Sequence, residues 1–303
     1  MSCADAGDRG FEPQELATIE AIGKTASSLS FISSSFIILC YAAFPDLRKF
    51  AFKLVFFLSI SDMMSSIPGF LPMNGQCPVC LAQAWLYSIF ANSSVFWTAC
   101  ITHCLWRALV HHDVDVARFE RYYHLVSWVV PLFFAVLPQL DGAYGPAGAW
   151  CWIVRSKDHW RYIQFFIPLW LIFAFNLTLY VKLILRLRAV WGTGGGSEGS
   201  SGDMKVFWRL GLYPVILVIC WTAASVNRIH NSIYPSQPIY WLTCTQVFLS
   251  NSAGCWNCLA YGLNSNVRDK LRGLLSGGGR RPLRGEDRDD IQLTKIGGGD
   301  DGE

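Results

Sequence analysis

The chain has 303 residues, of which 52% are hydrophobic, 15% aromatic and only 16% charged, with a net charge of +3. Soluble domains carry about 25% charged residues, and a soluble protein of this length could not cover so much apolar surface with so few charges. The small net charge, and the lack of a basic stripe interleaved with aromatics, exclude a nucleic-acid partner. Together with a mean hydropathy of +0.30, the composition predicts a polytopic membrane protein.

Seven apolar stretches of roughly 20 residues are long enough to cross a bilayer as helices. A polar helical extension from about residue 16 precedes the first stretch, and the third stretch is the most polar. The sequence therefore predicts an all-α seven-transmembrane helix bundle. In chain order, the spans cover about 25–44, 52–71, 80–110, 124–140, 162–185, 206–229 and 239–263.

The distribution of Lys and Arg between the short loops predicts the orientation, because cytoplasmic loops are the richer in both. One side holds fourteen of these residues and the other holds six, so we expect an exterior N-terminus and a cytoplasmic C-terminus. The richer side carries Arg48, Lys49, Lys53, Arg107, Arg118, Arg121, Lys182, Arg186, Arg188, Lys205, Arg209, Arg268, Lys270 and Arg272. The poorer side carries Arg9, Lys24, Arg155, Lys157, Arg161 and Arg228.

The chain divides into four predicted parts. Residues 1–24 form the extracellular N-terminus with the outer extension of helix one, and residues 25–263 form the transmembrane domain, including a flexible Gly/Ser linker at 192–203. Residues 264–275 carry an apolar stripe flanked by basic residues, which is typical of a short amphipathic helix bound to membrane lipids. Residues 276–303 are polar, Gly-rich and of mixed charge, so we expect a disordered cytoplasmic tail.

Three of the 11 Cys residues, Cys77, Cys80 and Cys151, fall at or near the predicted outer loops, on the side where disulfides form. Cys80 starts helix three and Cys151 lies in the largest outer loop, so we predict that they bridge and pin this loop over the mouth of the bundle. Cys77 is the alternative partner of Cys151. The pair of cysteines in CPVC has no matching pair or His cluster, so we predict no metal site, and no motif indicates a cofactor or a catalytic residue.

Asp62 lies in the middle of the second span. An intramembrane carboxylate is costly and is a functional candidate by default. We predict a polar network in which Asn257, Asn251 and Ser252 of the seventh span are its partners. The alternative is a polar packing contact without a functional role.

Arg107 closes helix three on the inner side, and two interpretations remain open for it. It is either an anchor that reaches the lipid headgroups or a lock that changes its partner when the bundle opens.

Four cations lie at the predicted outer mouth: Arg155, Lys157, Arg161 and Arg228. They are candidates for holding an anionic ligand such as a cyclic nucleotide. The alternative, which we favour from the sequence, is that all four are solvated loop charges. Proline residues inside the spans, at 131, 168 and 214, are expected to bend their helices.

Several strings resemble the plant G-protein-coupled receptor 1 family, which is related to the cyclic-AMP receptors of slime moulds. The strings occur in family order over about 18–273, and include LRKFAFKLVFFLSISDM, GAWCWI, GLYPVILVICW, NRIH and AYGLNSNVR. The resemblance implies a Cys80–Cys151 disulfide, and a switch at helix seven involving Asp62, Asn257 and Tyr261. Cys258 replaces the proline of the usual receptor motif, and Trp106 rather than an acid precedes Arg107.

The resemblance implies a receptor and not an enzyme. It would sit in the plasma membrane and transmit a signal, from an extracellular ligand that the sequence does not identify, to a heterotrimeric G-protein α subunit in hormone or growth signalling. Arg48, Lys49, Arg186 and Arg188 are the candidate contacts with the α subunit. The alternatives are a multi-pass transporter, and a G-protein-binding scaffold without a ligand.

Overall fold

The structure is a computed structural model that describes residues 11–45, 48–71, 77–111, 113, 115–192 and 211–262. The side chains of residues 77, 187–192 and 261–262 are not described. The predictions for the Tyr261 and Arg188 side chains, for the amphipathic helix at 264–275 and for the tail at 276–303 therefore lie outside the described residues.

Seven helices, α1 to α7, follow the predicted spans closely. Four are α1 (Pro13–Ala43), α2 (Phe50–Ser66, extended by the 3-10 turn Ile67–Phe70), α3 (Cys77–Val110) and α6 (Leu212–Ile233). The other three are composite: α4 (Glu120–His124, Leu125–Val129 and Val130–Leu140), α5 (His159–Arg161, Tyr162–Phe166 and Ile167–Gly192) and α7 (Tyr240–Asn251 and Ala253–Gly262).

Six of the described helices are individually long and apolar enough to cross a membrane. The seventh, α7, is broken at Ser252 into pieces of 12 and 10 residues. Residues 240–262 together extend about 34 Å at 1.5 Å per residue, which still matches a bilayer core of about 30 Å. The predicted seven-helix fold therefore holds, with an interruption in the last helix.

Two of the predicted proline bends take the form of π-helical turns. Leu125–Val129 in α4 ends two residues before Pro131, and Tyr162–Phe166 in α5 ends two residues before Pro168. A proline removes one backbone donor and clashes with the carbonyl four residues earlier, and a wider turn accommodates both effects. Sequence reasoning placed these distortions correctly but not their type.

A two-stranded hairpin in the loop between α4 and α5 covers one end of the bundle, called here the hairpin end. Its strands are β1 (Tyr144–Pro146) and β2 (Cys151–Ile153), antiparallel with Tyr144 opposite Ile153. The turn contains Gly148 at φ +110°, a backbone conformation that residues other than Gly rarely adopt. The hairpin packs on α3.

Two buried apolar clusters fill the bundle, one toward each end. The cluster toward the hairpin end includes Trp152, Phe165 and Trp221, and the other includes Leu58 and Trp97. Exposed Leu, Ile, Phe and Val side chains cover the outside of the helices. That arrangement suits a lipid environment, in which apolar side chains on the outside carry no penalty.

Candidate functional site

Asp62 is the centre of a buried polar cluster that joins three helices. Its Oδ1 accepts a hydrogen bond from Ser94 Oγ of α3 at 2.6 Å, and its Oδ2 accepts one from Asn257 Nδ2 of α7 at 2.7 Å. Asp62 is only 2% exposed and Asn257 5%. The structure thus brings Asp62 and Asn257 together, as the sequence suggests, and adds Ser94 as the partner on α3.

The break in α7 lies directly beside this cluster. Gly254 packs so closely on α1 that its N–H donates to Ser30 Oγ at 3.1 Å. A Cβ at Gly254 would lie 2.2 Å from Ser34 Oγ and 3.1 Å from Asp62 Cβ. The polar cluster, the break and the α1–α7 contact therefore form one packed unit.

The prediction that Asn251 and Ser252 bind Asp62 is wrong. Asn251 precedes Asn257 by six residues, which places it about 240° around an ideal helix, and it lines a cavity of about 70 Å³ nearer the hairpin end. Ser252 accepts a hydrogen bond from Trp256 Nε1 at 3.0 Å and donates to Leu249 O at 3.3 Å. Both residues belong to the break rather than to the carboxylate.

A second polar group lines a cavity of about 270 Å³ at the hairpin end. The hairpin turn, the start of α5, the end of α6 and the start of α7 surround this cavity. The Nη1 atoms of Arg161 and Arg228 each lie 3.2 Å from Asp158 Oδ1. Both arginines are buried, at 4% and 6% exposure, so the interpretation of solvated loop charges is wrong for these two.

Both buried arginines use further partners. Arg161 Nε donates to Ile153 O of β2 at 2.9 Å, and its guanidinium lies over Trp152, 5.9 Å from the centre of the ring. The Arg228 guanidinium lies 5.7 Å from the centre of the Phe166 ring. The sequence could not reveal this burial, because the covering residues come from β2 and from the π turn of α5.

The other two mouth cations lie toward solvent. Arg155 is exposed and reaches Pro235 O at 3.4 Å, although it lines the same cavity. Lys157 Nζ pairs with Asp141 Oδ1 at 3.0 Å and does not line the cavity. Hydrogen bonds from Lys157 and Trp160 lower the pKa of Asp141. Of the four candidates, three therefore face one cavity.

The hairpin is fixed to α3 by a disulfide and by a side-chain amide. Cys80 and Cys151 form the predicted disulfide, 71 residues apart in sequence. Next to it, Gln83 Oε1 accepts a hydrogen bond from Cys151 N and Gln83 Nε2 donates to Pro68 O, both at 2.8 Å. The wall that the hairpin forms over the mouth is thus held at more than one point.

At the opposite end of the bundle, Arg107 pairs with an acid that sequence reasoning missed. Arg107 Nε donates to Asp113 Oδ2 at 3.0 Å, and Arg118 Nη2 donates to the same oxygen at 2.7 Å. Both guanidinium groups also lie over the ring of Phe119, at 5.3 and 4.9 Å. The string HHDVD after α3 was the available signal, since its acids are the nearest ones to follow Arg107.

The candidate contacts for an α subunit are distributed over this same end. Arg48 Nη2 donates to Ala42 O at 2.8 Å and so holds the end of α1, while Lys49 is the N-cap residue of α2. Lys53 of α2 pairs with Glu120 of α4 at 2.5 Å. Arg186 is exposed near the end of α5.

No group of three or more His, Cys, Asp or Glu residues that could hold a metal ion occurs in the described ranges.

The fold matches that of a known membrane protein. Squid rhodopsin superposes with a TM-score of 0.71 over 94% of this chain and 91% of that chain, at 13% sequence identity. The bundle and its buried polar cluster define a multi-pass membrane protein with the seven-helix receptor fold.

Sequence comparisons identify the family. The profile described as slime mold cyclic AMP receptor matches residues 13–272, so the chain belongs to that family and is a receptor of the G-protein-coupled type. G-protein coupled receptor 1 of Arabidopsis thaliana is 35% identical over 88% of this chain and 85% of its own length. Cyclic AMP receptor-like protein A of Dictyostelium discoideum is 26% identical over 85% and 67%, and human G-protein coupled receptor 157 is 32% identical over 57% and 56%.

Proposed function

We propose that this protein is a plasma-membrane receptor that transmits an extracellular signal to a heterotrimeric G-protein α subunit. In this proposal the hairpin end and the N-terminus face the exterior, and the loops that carry Arg48, Lys49, Arg186 and Arg188 face the cytoplasm. The excess of Lys and Arg in those loops supports the orientation. Relatives named G-protein coupled receptor 1 and cyclic AMP receptor support the activity.

The observation that carries the proposal is the Asp62 cluster beside the broken α7. It links α2, α3 and α7 through two short hydrogen bonds to one buried carboxylate. A ligand shifts a two-state equilibrium only if it prefers one state, and a signal crosses the bundle only if the helices have alternative partners. Asn257 lies in the ten-residue segment after the break, and in this proposal that segment shifts against α1 and exchanges its hydrogen bonds when the receptor changes state.

The ligand that we propose is a small organic anion, with a cyclic nucleotide as the first candidate. Three arginines line the hairpin-end cavity, two of them buried. The family description and the names of several relatives refer to cyclic AMP. The growth or hormone pathway in which the receptor acts follows from neither observation and is part of the proposal.

The test is guanine-nucleotide exchange on the native α subunit by purified receptor, with and without cyclic AMP as the probe. We expect Asp62→Asn to lower receptor-stimulated exchange roughly 10-fold, within the 5- to 150-fold range of typical coupling between sites. The amide keeps the shape of the side chain but replaces one acceptor oxygen with a donor, so it cannot accept from both Ser94 and Asn257 in the same way.

Ser61→Ala is the matched control, because Ser61 is a buried neighbour that donates only to the Phe57 carbonyl of its own helix. It should leave exchange within about twofold. Equal surface expression of the variants separates signalling from folding. Normal exchange by Asp62→Asn at normal expression would refute the switch, and substrate flux in proteoliposomes that Asp62→Asn abolishes would favour a transporter.

A further inference from the structure

Asp158 is the acid that pairs with both buried arginines of the hairpin-end cavity. Its Oδ1 lies 3.2 Å from the Nη1 atoms of both Arg161 and Arg228, and its Oδ2 accepts a hydrogen bond from Ser232 Oγ at 3.2 Å. One carboxylate therefore neutralises part of the charge of two buried arginines. With Arg155 included, the arginines that line the cavity exceed this single carboxylate by two positive charges.

The arginines are fixed, whereas the carboxylate reaches them from the rim. The side chains of Arg161 and Arg228 are 5% and 7% exposed, but that of Asp158 is 32% exposed. Arg161 is also bonded to β2, and Arg228 lies against the Phe166 ring. Removing the carboxylate would thus leave two buried cations in place and unpaired, which is strongly unfavourable unless another anion replaces it.

Asp158 also has a second set of donors within its own segment. It is the N-cap residue of the first turn of α5, a position at which Asp usually accepts hydrogen bonds from the following backbone N–H groups. In this structure its side chain makes no such capping bond. The backbone at Asp158 is helical, with φ −58° and ψ −27°, so a displaced carboxylate would cap α5 only after this backbone becomes extended.

Three residues that line the cavity also have buried polar atoms for which the described residues provide no partner. They are Nε of Arg228, Oδ1 of Asn227 and Oδ1 of Asn231. Asn227 is 3% exposed, and its Nδ2 is already used by Gln246 Oε1 at 2.6 Å. One unpaired donor and two unpaired acceptors on the lining residues are compatible with an occupant that has both an anionic group and N–H or O–H donors.

From these contacts we infer that Asp158 is an internal counter-ion, which a small organic anion with hydrogen-bond donors displaces from Arg161 and Arg228 when it binds. This inference rests on the proposed function for its role in signalling, and it adds a residue that opposes binding. The resting contacts tie the start of α5 to the end of α6, since Tyr162 Oη also lies 2.5 Å from Ser232 Oγ. Displacement would break the contacts of Asp158 with Arg228 and Ser232 of α6.

Binding to the purified full chain in detergent tests the inference without any G protein. The probes are cyclic AMP and inorganic phosphate, which are anions, and adenosine, which is neutral. We expect Asp158→Asn to bind the two anions roughly 10-fold more tightly than the wild type, because the competing carboxylate is gone and the binding-competent fraction rises. Adenosine binding should not change.

Asp141→Asn is the matched control. Asp141 lies in the same loop and pairs with Lys157, but it does not line the cavity. An equal gain in Asp141→Asn would show a general charge effect and overturn the inference. Unchanged or weaker anion binding by Asp158→Asn, or an equal gain for adenosine, would overturn it as well.

A second variant covers the case in which Asp158→Asn does not fold. Asp158→Ala leaves space for an added carboxylate, so sodium acetate should raise its thermal midpoint by several degrees more than the same concentration of sodium chloride does. The wild type should show no such difference. Absence of rescue specific to acetate would refute the internal counter-ion. A receptor that passes these binding tests but fails to promote nucleotide exchange would refute only the proposed function.

Discussion

Asp113, in the loop between α3 and α4, shows how single charges are placed in this receptor. The hydrogen bond from Arg107 is the largest influence on its carboxyl group and lowers its pKa, and the charge of Arg118 acts in the same direction. Usual receptor sequences put an acid directly before the arginine that ends helix three, whereas here Trp106 holds that position and the acid follows Arg107 by six residues. Here the acid that pairs with Arg107 thus comes from the loop after the helix.

The lowered pKa predicts how stability depends on pH. Because the folded state binds the Asp113 proton less tightly than the unfolded chain, this carboxylate stabilises the fold above the ordinary Asp pKa of about 3.9, and the contribution is lost as pH falls through the lower folded value. We expect the thermal midpoint of the wild type to exceed that of the Asp113→Asn variant at pH 7. This difference should disappear below about pH 4. A gap that does not depend on pH would contradict this assignment.

At the scale of the element, α7 differs most from an ideal helix. Its break at Ser252 lies between a segment that faces the hairpin-end cavity through Thr243 and Gln246 and a segment that holds Asn257 on Asp62. In this conformation, close contact at Gly254 holds the second segment against α1. Small residues at such contacts let membrane helices approach each other closely, so the same glycine sets both the packing and the position of Asn257.

Gly254→Ala should destabilise this contact. A Cβ would lie 2.2 Å from Ser34 Oγ and 2.5 Å from Ser30 Oγ, and overpacking of this kind costs about 1–3 kcal/mol of unfolding free energy. We expect a lower thermal midpoint in detergent.

The double change Ser30→Ala and Ser34→Ala removes both oxygens and should restore most of the loss caused by Gly254→Ala. Gly23→Ala is the milder control, because its new Cβ would meet Val247 Cγ1 at 3.3 Å. If Gly254→Ala lowers the thermal midpoint as much in the protein with Ser30→Ala and Ser34→Ala as in the wild type, these hydroxyls are not the obstacle.

At the scale of the whole molecule, the two polar clusters lie on one path through the bundle. The hairpin-end cavity is closed by α5, α6, α7 and the hairpin, and the Asp62 cluster joins α2, α3 and α7. Helix α7 contributes to both. Under the proposed function, a change at the mouth would reach the Asp62 cluster through α7, the helix that is broken between the two clusters.

The topology is the prediction at this scale. Seven crossings should leave the two ends of the chain on opposite sides of the membrane. An epitope tag at the N-terminus should be labelled on intact cells, and a tag at the C-terminus only after permeabilisation. A tag in the Gly/Ser linker at 192–203 serves as a cytoplasmic control. Labelling of both ends in the same compartment would overturn the orientation and the receptor proposal with it.

Features with a short-range signal were predictable from the sequence. Each crossing needs about 20 apolar residues in succession, so the spans could be located to within a few residues, although the break at Ser252 could not. Cys77 and Cys80 were the candidate partners of Cys151 in the longest outer loop, and Cys80–Cys151 is the disulfide formed. An isolated carboxylate in an apolar helix identified Asp62 as unusual.

By itself, the sequence determined the membrane class, the number of helices and the costly carboxylate of Asp62, because the hydrophobic effect acts on each segment wherever its neighbours lie. Only the tertiary structure decided which polar groups meet. Asp62 takes its partners from positions 32 and 195 residues away, and Arg228 binds a carboxylate 70 residues away. Such pairings depend on which helix faces lie side by side in the bundle, and no local pattern of residues records that arrangement.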